Sequence, residues 1–234
     1  MDFEQALSAA RRDAGGGIGT LGEKTLHIAM KYLFAPDPDT HEIAVGRHIA
    51  DAVTAEGVIE VQTRNLYRLK TKLDDYLQSQ PVTVVYPIAA NTTLIQVDEN
   101  GEFLSKRRSP KHETVYTAMH EVSHLKNYLC RDGFRLVIVA LEMNAYLLSG
   151  AKKGKRKLDR EPVSLLETWE LCSPADFRAL LPDLPPEFTA KALADILHIP
   201  LETARRFLNI LDVLRIAASE KREKRVKIWK IMPM

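Results

Sequence analysis

The chain has 234 residues, 45% of them hydrophobic, which is enough apolar material for one domain of ordinary size and a smaller companion. It contains no run of about 18 apolar residues, and its start, MDFEQALSAARRDAGGG, lacks the basic-then-apolar layout of a secretory signal, so no membrane is expected and a cytoplasmic protein is. The net charge of +2 is unevenly spread: residues 187–234 carry ten Lys or Arg against six acids, and KKGKRK at 152–157 places five positive charges in six residues.

In chain order, residues 3–12 read as a short helix closed by the glycines at 15–17, and TLGEKTLHIAMKYLF from Thr20 reads as a second helix stopped by Pro36 and Pro38. HEIAVGRHIADAV and VIEVQT are β-like runs joined by TAEG, a turn suited to a hairpin. RNLYRLKTKLDDYLQ returns to helical spacing, PVTVVYPI is an apolar run typical of a buried strand, and TTLIQVDENGEFLSKRR is a polar hairpin around Glu99, Asn100 and Gly101. A helix over 113–129 and a buried strand FRLVIVAL at 134–141 follow. Gly150 to Arg160 reads as a basic loop, and residues 161–186, with Pro174, Pro182, Pro185 and Pro186, as helical pieces of a connector. Cys130 and Cys172 match no Cys-x-x-Cys spacing and fit a reducing compartment.

The C-terminal segment opens with Thr189, suited to cap a helix, and Pro200, suited to the first turn of the next. IAASEKREKRVKIWKIM then places a polar tip between two strand-like runs. The pattern resembles a winged helix-turn-helix, which implies DNA as partner, with Arg205 and Arg206 on the second helix and Lys221, Arg222, Lys224 and Arg225 in the wing contacting phosphates. The alternative for the same pattern is a protein-interaction or dimerisation module, so a second copy of the chain is a further candidate partner.

Two motifs compete for chemistry. MHEVSH at 119–124 is an H-E-x-x-H match, which would make His120 and His124 zinc ligands and Glu121 a general base. On a helical wheel of ~100° per residue, Val115, Ala118, Met119, Leu125 and Leu129 cluster within about 60° of Val122, and both histidines lie about 160° away, on the face opposite the core stripe. The nearest third ligand is Glu142, in EMNAYLLSG, which resembles the third-ligand helix of regulatory peptidases of the ImmA/IrrE type. GIGTLGEKT at 17–25 approximates a phosphate-binding loop, but Glu23 stands where its lysine belongs and no strand precedes it.

The second constellation is ADAVTAEGVIEVQTR, residues 50–64. Asp51 on one strand and Glu60 with Gln62 on the next come together across the turn, and an acid inside VIEVQ needs a reason to be there. Two carboxylates on adjacent strands suit Mg²⁺ or Mn²⁺. Here the chain resembles the PD-(D/E)XK nuclease superfamily, whose core runs helix, three antiparallel strands, helix, strand. The resemblance implies Asp51 and Glu60 as metal ligands, Gln62 at the lysine position and Glu23 as the acid contributed by the first helix. Glutamine cannot act as a cationic stabiliser, and Lys70 and Lys72 on the next helix are placed to supply the missing charge. The chain also resembles a group of small bacterial proteins containing GIGTLGEKTLH and IEVQTR-like segments.

These readings lead to an α/β (α+β) expectation. A restriction-endonuclease-like mixed sheet flanked by helices occupies 1–150, a connector 151–186, and a small winged-helix domain 187–234. The expected function is a metal-dependent DNA endonuclease or a degenerate nuclease-fold DNA-binding protein. The alternatives are a zinc metallopeptidase and a non-enzymatic winged-helix regulator.

Overall fold

The computed structural model describes residues 1–14, 25–149 and 156–233. Asp2 opens helix α1 (Phe3–Asp13) with a capping box, its carboxylate accepting the Gln5 N–H at 2.8 Å while the Gln5 side-chain oxygen accepts the Asp2 N–H at 3.2 Å. Helix α2 (Thr25–Phe34) packs against it. The run HEIAVGRHIADAV, expected as one β segment, is two strands, β1 (His41–Val45) and β2 (His48–Thr54). Gly46, at φ 59°, opens the two-residue connection that folds one back on the other, a conformation such short hairpin loops favour. TAEG makes the expected turn into β3 (Gly57–Val61). Gly57 has φ 119°, and a Cβ there would lie 2.3 Å from the Pro81 carbonyl oxygen, so the close approach requires glycine.

A 3₁₀ turn (Leu66–Leu69) and helix α3 (Lys70–Tyr76) carry the chain to β4 (Val82–Val97), parallel to β3. The expected buried strand and the first arm of the expected hairpin are therefore one 16-residue strand. It turns at Gly101, φ 84°, into β5 (Phe103–Arg108). β4 pairs with β3 through its first residues and with β5 through its last, on the edge left open by the strand that follows.

Helix α4 (Val115–Val122) is shorter than the expected 113–129. It ends in a 3₁₀ turn, where the Ser123 hydroxyl donates to the His120 carbonyl at 2.7 Å and competes with continued helix. Strand β6 (Phe134–Leu148) runs parallel to β4 along its whole length. The largest correction is β7 (Arg156–Leu171), antiparallel to β6, where a basic loop and helical connector were expected. Pro162 is accommodated because it faces Met143 at a register shift on an edge strand. Pairing with β6 decides the conformation of this segment, which has no alternating pattern of its own.

The sheet order is β1-β2-β3-β4-β6-β7, with β5 beside β4. One face packs Ile59, Val61, Val85 and Val139 against Ala10, Leu26 and Met30 of α1 and α2. The other packs Val58, Val84 and Ile138 against Leu73, Tyr76, Met119 and Val122 of α3 and α4. This second core is continuous with helices α5 (Pro174–Ala179), α6 (Ala190–Leu197) and α7 (Leu201–Val213), through Phe177, Leu193 and Phe207. Thr189 caps α6 by accepting the Ala192 N–H at 3.1 Å, as its sequence position suggested. Strands β8 (Ala217–Glu223) and β9 (Val226–Ile231) close the chain, and Phe188 bridges to Trp229. The molecule is thus a mixed α+β protein with a mixed sheet flanked by helices, and among the described residues no helix is long and apolar enough to cross a membrane.

Candidate functional site

β2 and β3 stay paired only from Ala52–Ile59 to Thr54–Gly57. Past that point they part, and the Asp51 carboxylate enters the fork, its Oδ2 accepting the Val61 N–H at 2.7 Å. His27 of α2 closes the same corner, with Nε2 2.9 Å from the Val61 carbonyl oxygen and 3.3 Å from Asp51 Oδ2. A side chain has taken over a backbone N–H that lost its ladder partner, which fixes the carboxylate at the end of β3.

Glu60 points to the other face. Its neighbours Ile59 and Val61 belong to the α1–α2 core, so the alternation of the strand turns Glu60 toward α3, where it is 2% exposed. Lys72 Nζ lies 2.8 and 3.0 Å from its two carboxylate oxygens and also donates to the Ile49 carbonyl at 2.7 Å. Lys72 sits on α3 within reach of β3, so a cation on the helix faces the carboxylate on the strand. Burial, then the charge of Asp51, raises the Glu60 pKa from 4.5 to about 7, and Lys72 opposes both. The Tyr76 hydroxyl, one helical turn after Lys72, is buried beside Glu60, and burial, then the Glu60 charge and hydrogen bonding to it, push its pKa up.

Gln62 donates its backbone N–H to the Val85 carbonyl at 2.9 Å, and its side-chain amide bonds to the Arg64 carbonyl, along its own loop. Glu23 and residues 152–155 of the basic run lie outside the described residues. His27 and Tyr76 were missed by sequence reasoning. The signal for His27 was a lone histidine in the apolar run TLHIAM, and for Tyr76 its position one turn after Lys72.

The zinc reading meets a different arrangement. Glu121 accepts the Leu66 N–H at 3.0 Å, and the His124 ring lies edge-on to Tyr67, centroids 5.9 Å apart. Burial holds the His124 pKa below its usual value. The face expected to be wet is half-buried because the Leu66–Leu69 turn packs on it. EMNAYLL, expected to resemble a helix, continues β6, and Glu142 there accepts from the Ser164 hydroxyl at 3.2 Å. No group of three His, Cys, Asp or Glu side chains among the described residues converges to hold a metal, so His120, His124 and Glu142 are not brought together.

Among the expected phosphate contacts, Arg205, Lys221, Arg222, Lys224 and Arg225 are exposed. Arg206 is not available in the same way: it bonds Glu202 at 3.1 Å and the Ser123 hydroxyl at 3.3 Å, tying α7 to the end of α4. A basic feature that went unread is β5, whose six residues are all exposed and whose Lys106, Arg107 and Arg108 make no ion pair among the described residues. Cys130 and Cys172 are free and exposed.

Comparison with known proteins gives these elements a frame. The family model for a domain of unknown function (DUF8091) matches residues 24–172, and the chain belongs to that family. The match begins at α2 and ends with β7, so it takes in every strand of the large sheet and stops before α5. An uncharacterized protein of Treponema pallidum (strain Nichols) is 29% identical over 185 residues, which cover 76% of this chain and 73% of that one. No solved structure matches the chain.

Proposed function

We propose that this member of the DUF8091 family is a metal-dependent DNA endonuclease of PD-(D/E)XK-like architecture with a winged-helix-like C-terminal module. The observation that carries the reading is the Lys72–Glu60 contact beside the Asp51 fork. It sets two acids and a lysine on β2, β3 and α3, the kind of set phosphodiester hydrolysis uses. The order α2, three antiparallel strands, α3 and a parallel β4 supports it, as does the parting of β2 and β3 at Asp51.

The donor set suits a hard divalent cation. The charge of Asp51 raises the Glu60 pKa, so the two carboxylates feel one another at the end of β3. Asp51 is held by the Val61 N–H on the α2 side and Glu60 by Lys72 on the α3 side, so a cation shared by both would have to draw one of them away from those partners. Asp51 and Glu60 would hold Mg²⁺ or Mn²⁺, which supplies Lewis-acid polarisation of the phosphoryl group and lowers the pKa of a water. Lys72 opposes the burial that raises the Glu60 pKa and provides the positive charge that Gln62 cannot. His27 orients Asp51 from the opposite face. The exposed Lys106, Arg107 and Arg108 of β5, with Lys221, Arg222 and Lys224 at the C-terminal hairpin, give the DNA backbone its counter-charges.

The test is plasmid nicking with Mg²⁺ or Mn²⁺, comparing wild type with Glu60→Ala, Asp51→Asn and Lys72→Met. Metal-dependent nicking lost in all three, with DNA affinity retained, is the expected result. Equal activity in wild type and Glu60→Ala would sink the assignment. DNA binding without nicking in the wild type would mark the chain as a degenerate binding form.

A further inference from the structure

The outward stripe of α7 runs along one side of a solvent-open groove. Leu201, Arg205 and Asn209 look across a groove of about 490 Å³ at the β9 hairpin, which contributes Arg225, Val226 and Lys227. Trp229 and Leu208 also line it, both buried, and Leu201 and Val226 leave apolar surface exposed at its edge, 39% and 49% accessible. The volume lies within the range of small-ligand and side-chain pockets, roughly 300–1,000 Å³.

Its charge is one-sided. Lys191, Arg205, Arg225 and Lys227 line the groove, and among the described residues no carboxylate does. Lys191 is paired outward with Asp195 at 3.1 Å, and Lys227 lies 5.2 Å from the Trp229 ring centroid. Arg205 and Arg225 have no ion-pair partner among the described residues. An apolar cleft with a cationic rim favours a ligand whose apolar side chains leave water while its acids stay at the edge. A phosphodiester backbone suits it poorly, since its charge would be desolvated against Leu201 and Val226.

We propose that this groove docks an acidic amphipathic peptide segment of a partner protein. Apolar side chains seat against Leu201, Val226 and Trp229, and carboxylates bind Arg205 and Arg225. The surface is separate from the carboxylate site and does not depend on the nuclease reading.

The test uses the full chain and three probes in fluorescence anisotropy: a labelled 16-residue peptide of Leu and Glu with its leucines on one helical face, its Lys-for-Glu counterpart, and a 16-base-pair DNA duplex. The acidic peptide should bind, the basic one should not, and Arg205→Glu or Arg225→Glu should weaken binding about tenfold or more. Both side chains are exposed, so the variants are expected to fold, and thermal melts check this. Leu201→Ser supplies a second variant that leaves the charge unchanged and should also weaken the peptide. The proposal is overturned if the acidic peptide fails to bind or ignores all three substitutions. It is also overturned if only duplex affinity responds to them, or if wild type dimerises through this face and Arg205→Glu abolishes the dimer without any peptide binding.

Discussion

Lys72 Nζ contacts both oxygens of Glu60, at 2.8 and 3.0 Å, while Glu60 is 2% exposed and Lys72 retains 28% of its side-chain surface. The acid is enclosed and the base reaches it from the rim. Removing the base leaves a buried carboxylate with no compensating charge. Lys72→Met should therefore cost about 2–3 kcal/mol at pH 8. The cost should shrink at pH 5, where Glu60 takes up a proton instead. Urea denaturation at the two pH values measures this, and an equal cost at both would show that the cation does not matter to Glu60.

The raised pKa of Glu60 has a defined consequence for stability. Below pH 4.5 the group is protonated in both folded and unfolded chains. Between 4.5 and about 7 the folded chain holds a proton that the unfolded chain has released, so its contribution to stability falls as pH rises through that window. Wild type should lose up to about 3 kcal/mol across it relative to Glu60→Gln, in which the titration is absent. Parallel stability–pH curves for the two proteins would contradict the assignment.

Gly57 joins two constraints, a φ of 119° and a Cβ position 2.3 Å from the Pro81 carbonyl oxygen. Gly57→Ala should destabilise the chain by about 3 kcal/mol or more, because neither the backbone angle nor the neighbouring carbonyl can relax cheaply. Gly46→Ala is the control, since no atom lies within 4 Å of the place its methyl group would take. A melt in which Gly57→Ala is no worse than Gly46→Ala would refute the close-approach argument.

The exposed cations of β5 and the engaged Arg206 make opposite forecasts for DNA binding. Each lost phosphate contact lowers the slope of log affinity against log salt by about 0.9. Alanine at Lys106, Arg107 and Arg108 together should reduce that slope by about 2–3. Arg206→Ala should leave it unchanged, because that guanidinium is held by Glu202 and Ser123. Filter binding over a salt series distinguishes the two, and a fall in slope for Arg206→Ala would reverse the assignment.

Local grammar carried much of the architecture. The Thr189 cap, the TAEG turn, the hairpin at Gly101 and the buried runs at 82–88 and 134–141 were legible because caps, short turns and apolar runs are specified by neighbouring residues. Segment 156–171 was not, since an exposed edge strand has no alternation to declare it and its hydrogen bonds come from β6, a separate segment of the chain. The same limit made 113–129 look like one helix, although Ser123 ends it.

By itself the sequence marked Glu60 as an acid needing an explanation, Asp51 as its companion across the turn, and Lys70 and Lys72 as cations near enough to matter. Only the tertiary structure decided how they are used. The parting of β2 from β3 gave Asp51 the Val61 N–H, and strand alternation turned Glu60 toward α3. The packing of α2 brought His27 to the same corner, and the packing of the Leu66–Leu69 turn on α4 drew Glu121 away to Leu66. Residue type states which chemistry a side chain can perform. Direction and burial depend on which strands stay paired and which helix covers which face, and residues remote in sequence settle both.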